Sequence, residues 1–149
     1  MTTLTLAQIK ERLPHREPIL LVDRVLDYVV DTTLVAERAF AQNDPLFEGH
    51  FPGHPVLPGM LAVESLAQAA GILVCVSREV FAKDILFYFM GVSEVKFKLP
   101  IRPGMVLRLE VSQVNRKGDV YKFDGVGKVD GKTAVEATFM AKMIRKETI

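Results

Sequence analysis

GMLAVESLAQAAGILVCVSREV, Gly59 to Val80, is the stretch on which the architecture of this chain turns. It follows Pro58 and contains no internal breaker strong enough to end a helix, so it reads as one helix of roughly 20 residues, near 30 Å long at about 1.5 Å per residue. Apolar side chains cover almost every face, and a helix of that kind must be wrapped on most sides. A membrane span is the competing explanation. The apolar part, Met60 to Val76, is short for a span, carries Glu64 and Gln68, and begins at a Pro-Gly turn. A helix buried in the core of a soluble protein is therefore expected.

The sequence on either side supplies the wrapping. Thr5-Leu-Ala-Gln8 has the form of a capping box, Leu6, Ile9 and Leu13 follow at helical spacing, and Pro14 supplies a stop, which predicts a short amphipathic helix. Ile19–Val30 and Asp31–Gln42 are rich in β-branched and apolar residues and predict two strands of a hairpin. After the long helix, FYFMGVSEVKFKLP (Phe87–Pro100) predicts a strand with a bulge at Gly91, and Arg102-Pro-Gly104 a turn. In Val106–Val114, Leu107, Leu109 and Val111 alternate with Arg108, Glu110 and Ser112, as on a half-buried strand. Asn115–Gly118 breaks that pattern. Asp119–Val129 and Lys132–Ile144 flank Asp130-Gly131, a pair that suits a tight hairpin turn. Helix, two strands, long helix and about four strands make an α+β class with an antiparallel sheet.

At 149 residues and 49% hydrophobic content, residues 1–149 are expected to form one domain with ample core material. Nineteen basic and eighteen acidic side chains leave a net charge of +1, which gives no argument for nucleic acid or an anionic membrane surface. A lone Cys75 excludes an internal disulfide, and its apolar neighbours predict a buried, inert thiol. MTTLTLAQIKERLP does not read as a signal peptide, so a cytoplasmic location is expected.

Immediately before the long helix stands FEGHFPGHPVLPGM, Phe47–Met60. A helix starting at Gly59 directs free N–H groups and the positive end of its dipole at whatever precedes Pro58, and such an end can hold an oxygen that becomes negative during a reaction. Glu64 and Gln68 are one helical turn apart, so the amide can orient the carboxyl, and an apolar surround should keep Glu64 protonated for general-acid work. His50 lies in a loop stiffened by Pro52, Pro55 and Pro58, and imidazole is the side chain suited to a general base. Base, acid and oxyanion donor would then converge on one spot. An ion pair at Glu64 and a backbone-bonded loop histidine at His50 are the plainer explanations, and spacing alone does not choose between them. His50, His54 and Glu48 also have metal-ligand chemistry, but Pro52 and Gly53 prevent the helix on which an i, i+4 histidine pair works, so no metal is expected. His54 reads as a solvated loop residue, and His15 as a turn residue engaged in packing or hydrogen bonding.

GHFPGHPVLPGMLAVESLAQ resembles the active-site segment of the β-hydroxyacyl-acyl carrier protein dehydratases of bacterial fatty acid synthesis. LPHREPILLVDRV is similar to their N-terminal signature and FYFMGVSEVKFKLPIRPG to a third block, so the resemblance spans nearly the whole chain. It implies the hotdog fold, in which an antiparallel sheet wraps a central helix. It also implies His50 as base, Glu64 as acid, Gln68 as its orienting amide and the Gly59 N–H as oxyanion donor. The related dehydratase/isomerase branch has Asp where this chain has Glu64, which favours dehydration without isomerisation. The implied reaction takes a (3R)-3-hydroxyacyl thioester on acyl carrier protein to the trans-2-enoyl thioester, with no cofactor beyond the phosphopantetheine arm of the substrate. Met90 and Gly91 would line part of the tunnel for that arm, and Lys96, Lys98 and Arg102 would meet the carrier protein. Leu99 and Met105 stand where many members have a basic and an acidic residue. The resemblance further implies a homodimer with shared active sites, often assembled as trimers of dimers. A hotdog acyl thioesterase would use the same fold and helix start, with a carboxylate-activated water.

Overall fold

The computed structural model describes residues 2–148. The expected first helix is present as α1, Leu6–Arg12, and its capping box is complete: Thr5 Oγ1 accepts from the Gln8 N–H and the Gln8 side chain accepts from the Thr5 N–H. The strands are β1 (Arg24–Val29), β2 (Thr33–Ala39), β3 (Ile85–Phe97), β4 (Val106–Lys117), β5 (Val120–Val129) and β6 (Lys132–Arg145). They form one antiparallel sheet in the order β1-β2-β4-β5-β6-β3. The long helix, α2, runs Gly59–Arg78 and packs against β2, β4, β5 and β6.

From Ala62 to Cys75 only Glu64 and Ala67 of α2 escape full burial, so the all-round apolarity of the helix is met by the sheet. By length and composition α2 would also pass for a membrane span, but 72% of its most apolar window is covered inside the fold. Gly125 lets helix and sheet approach: a Cβ there would sit 3.2 Å from the Leu66 side chain and 3.1 Å from Phe139. Cys75 is fully buried, and burial pushes its thiol up to about 12, the inert behaviour expected of it. Glu79 ends the helix in a left-handed conformation.

Three boundaries differ from expectation. Only Arg24–Val29 of the Ile19–Val30 stretch pairs in the sheet. Leu20, Leu21 and Val22 are buried, but the Leu21 N–H and C=O bond to the Gln68 and Ser65 side chains of α2 and the Leu20 N–H to the Arg16 carbonyl, which takes these groups away from a neighbouring strand. Second, β4 continues through the expected break at Asn115 to Lys117, because a register shift between Gln113 and Asn115 absorbs the change of pattern. Third, β2 covers only Thr33–Ala39 of the expected Asp31–Gln42 strand. The Asp130-Gly131 turn is as expected, with φ of 50° and 77°. So is the irregularity in β3, a register shift between Phe89 and Gly91.

β3 is an edge strand, bonded to β6 alone. Tyr88, Phe89, Met90, Val92 and Phe97 of this strand are exposed along with Ser93, Glu94 and Lys96, and Phe51 and Met60 before and at the start of α2 are exposed as well, at 56% and 57%.

Candidate active site

The loop before α2 holds His50 by its backbone. His50 Nδ1 lies 2.8 Å from the Val56 carbonyl oxygen, and the Val56 N–H donates back to the His50 carbonyl at 2.8 Å. A carbonyl only accepts, so Nδ1 carries the proton and Nε2 of the neutral ring keeps its lone pair. Phe51 stacks on the imidazole at 4.3 Å between ring centres. Gly49 and Gly53 both take φ of 79°, a region that side chains disfavour, which lets so short a loop fold back.

His50 and Gly59 line one open cavity of about 420 Å³ together with Met60, Phe97, Lys98 and Leu99. Pro58 offers no side-chain cap, and the Leu61 N–H turns back to the Pro58 carbonyl at 2.9 Å, so the Gly59 and Met60 N–H groups are the ones left available at this wall. A Cβ at Gly59 would lie 2.6 Å from Cε1 of the Phe97 ring, so any side chain there would have to displace that ring. The cavity thus contains a base with a free lone pair, a helix start and an apolar wall.

Glu64 opens elsewhere. Five residues beyond Gly59, it sits about 7.5 Å along the axis and about 140° around the helix. It lines a smaller cavity of about 40 Å³ with His15, Gln68, Phe87, Tyr88 and Phe89. The expected convergence of base, acid and oxyanion donor on one spot therefore does not occur within a single chain; helical periodicity separates the first and third partners from the second.

Gln68 does orient Glu64. Its Oε1 accepts from the Leu21 N–H at 2.7 Å, and its Nε2 donates to the Ile19 carbonyl and to Glu64 Oε2, both at 2.8 Å. The amide is 1% exposed and its orientation is fixed by backbone groups on both ends. Burial pushes the Glu64 carboxyl above its ordinary range, and the Gln68 bond offsets part of that rise. Because Oε2 takes the amide hydrogen, Oε1 is the oxygen left to carry and deliver a proton.

Among the other expected residues, His54 is exposed in the loop. No three His, Cys, Asp or Glu side chains come together as a metal-binding group among the described residues. Met90 and Gly91 are exposed on the β3 edge and line neither cavity. Lys98 is at the large cavity but pairs with Glu136 at 3.4 Å; Lys96 and Arg102 are exposed. Five further residues stand out: His15, expected as a turn residue, and four that the sequence did not single out. His15 brings Nε2 to 3.8 Å from Glu64 Oε2, Phe97 covers Gly59, and Arg116, Lys117 and Lys122 border a hollow of about 210 Å³ with no ion-pair partner among the described residues.

A six-stranded antiparallel sheet wrapped around one buried helix is the hotdog arrangement, and comparison with known proteins places the chain within it. The model of the FabA-like domain matches residues 13–138, and the chain belongs to the FabA-like family. It is 46% identical over 93% of its length, and 88% of the relative, to the 3-hydroxyacyl-[acyl-carrier-protein] dehydratase FabZ of Rhizorhabdus wittichii. To the enzyme of the same name from Sodalis glossinidius it is 45% identical over 97% of this chain and 95% of the other. Among solved structures, the dehydratase heterocomplex ApeI:P from Xenorhabdus doucetiae superposes with a TM-score of 0.78 at 22% identity, covering 93% of this chain and 92% of that one. A hypothetical thioesterase of Streptococcus pneumoniae with coenzyme A reaches 0.61 at 12% identity, covering 81% and 84%. These two establish the shared hotdog fold and no more.

Proposed function

We infer that this chain dehydrates (3R)-3-hydroxyacyl-acyl carrier protein to the trans-2-enoyl thioester in fatty acid elongation. The observation that carries the reading is the 46% identity over 93% of the chain to a dehydratase of that name. The geometry supplies the chemistry. His50 Nε2 takes the α-proton, and the electrons move to the thioester oxygen, where the Gly59 N–H and the helix start stabilise the negative charge. The electrons then return to form the C2–C3 double bond as the C3–O bond breaks. Glu64 Oε1 gives its proton to the departing hydroxyl, which leaves as water. Imidazolium and carboxylate remain and exchange a proton through solvent to restore the starting state. The steps need no metal or redox group, and the phosphopantetheine arm arrives with the substrate.

The two halves of this machinery meet across two copies of the chain. Support comes from their separation within one chain and from the exposed apolar side chains of the edge strand β3, with Met60 and Phe97 lining the same cavity, a surface suited to pairing with a second β3. In that homodimer His50 of one subunit faces Glu64 of the other, and trimers of such dimers are the expected larger assembly. Tyr88 to Gly91 then lie at the junction through which the arm enters. An acidic carrier protein meets Lys96 and Arg102 and also Arg116, Lys117 and Lys122, which form no ion pair among the described residues; Lys98, already paired to Glu136, contributes less. The location is cytoplasmic.

Incubation with 3-hydroxybutyryl and crotonyl thioesters tests the reaction. A reversible absorbance change from the conjugated enoyl thioester is expected. Release of free thiol at a comparable rate would instead establish the thioesterase, which shares the fold and the helix start.

A further inference from the structure

The Glu64 cavity contains a titratable group that the reaction above does not use. His15 lies between α1 and β1 with Nε2 3.8 Å from Glu64 Oε2, both side chains less than a quarter exposed. Its other nitrogen, Nδ1, is buried and has no hydrogen-bond partner among the described residues. A buried N–H with no acceptor is costly, so the ring proton belongs on Nε2, the nitrogen with a carboxyl in front of it. At 3.8 Å this is not yet a hydrogen bond. A neutral carboxylic acid attracts the N–H weakly, whereas a carboxylate draws it in, and a displacement of under about 1 Å closes the gap, as such contacts do when a site is occupied.

We propose that His15 is a positioning residue for Glu64: its Nε2–H closes on the carboxylate as Glu64 gives up its proton to the leaving hydroxyl. The inference rests on Glu64 being the general acid. With Gln68 and His15 both directed at Oε2, the departing proton is confined to Oε1 and the resulting charge is shared between two donors. The other polar groups around the pair are few: Tyr88 of β3 lines the same cavity and Arg16 adjoins His15. Burial, with Arg16 beside it, keeps the His15 imidazole below its ordinary titration range. It therefore acts as a neutral dipole and does not compete with Glu64 as an acid.

The test is the pH dependence of turnover of 3-hydroxybutyryl thioester by His15→Phe, which keeps a ring and removes the N–H. Turnover should fall about tenfold, the worth of one hydrogen bond to a charged group. The alkaline limb, where Glu64 loses its proton, should move to higher pH because the carboxylate has lost a donor. His15→Gln, which returns an N–H near the Nε2 position, should restore both. A folded His15→Phe protein with the wild-type alkaline limb overturns the proposal, as does a Gln variant as impaired as the Phe variant. Should the Phe chain not fold, His15→Leu decides by the same readings. Glu64→Gln assayed alongside separates the two failures: activity there removes the acid assignment itself, whereas an inactive Glu64→Gln with an unmoved limb in His15→Phe removes only the role of His15.

Discussion

The cavities that hold His50 and Glu64 orient those side chains by opposite means. His50 is positioned locally, by a bond to Val56 six residues away within one glycine- and proline-rich loop. Glu64 is positioned remotely: its orienting amide, Gln68, is fixed by the backbone of Ile19 and Leu21, more than 45 residues earlier in the chain. The His50 half is consequently open and carried by a turn, while the Glu64 half is enclosed and built into the packing of α2. Damage to the loop should cost activity alone. Damage around Gln68 should cost activity and stability together.

The largest expected effects are on turnover. Glu64→Gln and His50→Ala should each lower it by at least about 10²-fold while the protein remains folded, since each removes an acid–base role. His54→Ala should be nearly silent in the same assay. Equal losses at His50 and His54 would break the assignment of one histidine to chemistry and the other to solvent.

Gln68→Leu tests the remote half. It leaves the buried Leu21 N–H without a partner, at about 1–3 kcal/mol, and removes the tie to the more exposed Ile19 carbonyl, so the denaturant midpoint should drop markedly. It also removes the bond that holds the Glu64 pKa down, so the alkaline limb of activity should move up. Unchanged stability would show that the amide does not anchor the 19–21 segment.

How far the sequence reveals these features follows from the same contrast. The capping box at Thr5, the Asp130-Gly131 turn and the extent of α2 are set by neighbours in sequence, and the residues show them directly. Leu20–Val22 look like a strand because they are apolar, yet α2 claims their backbone through Ser65 and Gln68, side chains too distant in sequence for any pattern to connect. His15 meets Glu64 for the same reason. The separation of the two cavities, by contrast, is implied by five residues of helical rotation between Gly59 and Glu64, but recognising it requires knowing which face of α2 each cavity occupies.

A smaller effect concerns pH and stability. The Glu64 pKa is raised in the folded protein, so its contribution to stability is fully present below the unfolded carboxylate range and is lost as pH rises through the folded value. Glu64→Gln cannot ionise, and its thermal midpoint relative to wild type should therefore rise with pH above about 4.5. A difference independent of pH would contradict the burial of this carboxyl.

The smallest effects concern docking. Lys96→Glu and Arg102→Glu should raise KM for carrier-bound substrate a few-fold at low salt and leave short soluble thioesters untouched. Arg116→Glu should do so at least as strongly as Lys98→Glu, whose parent residue is already engaged by Glu136.

Whether one catalytic site draws its base and acid from two chains is answered most directly by mixing two inactive variants. In a heterodimer of a His50→Ala chain and a Glu64→Gln chain, shared sites place both lesions in one site and leave the other intact. If subunits exchange at random, half the dimers are mixed and each has one good site of two, so roughly a quarter of wild-type activity should return after co-refolding. Confirmed heterodimers with no recovered activity would contradict the account and assign each site to a single chain.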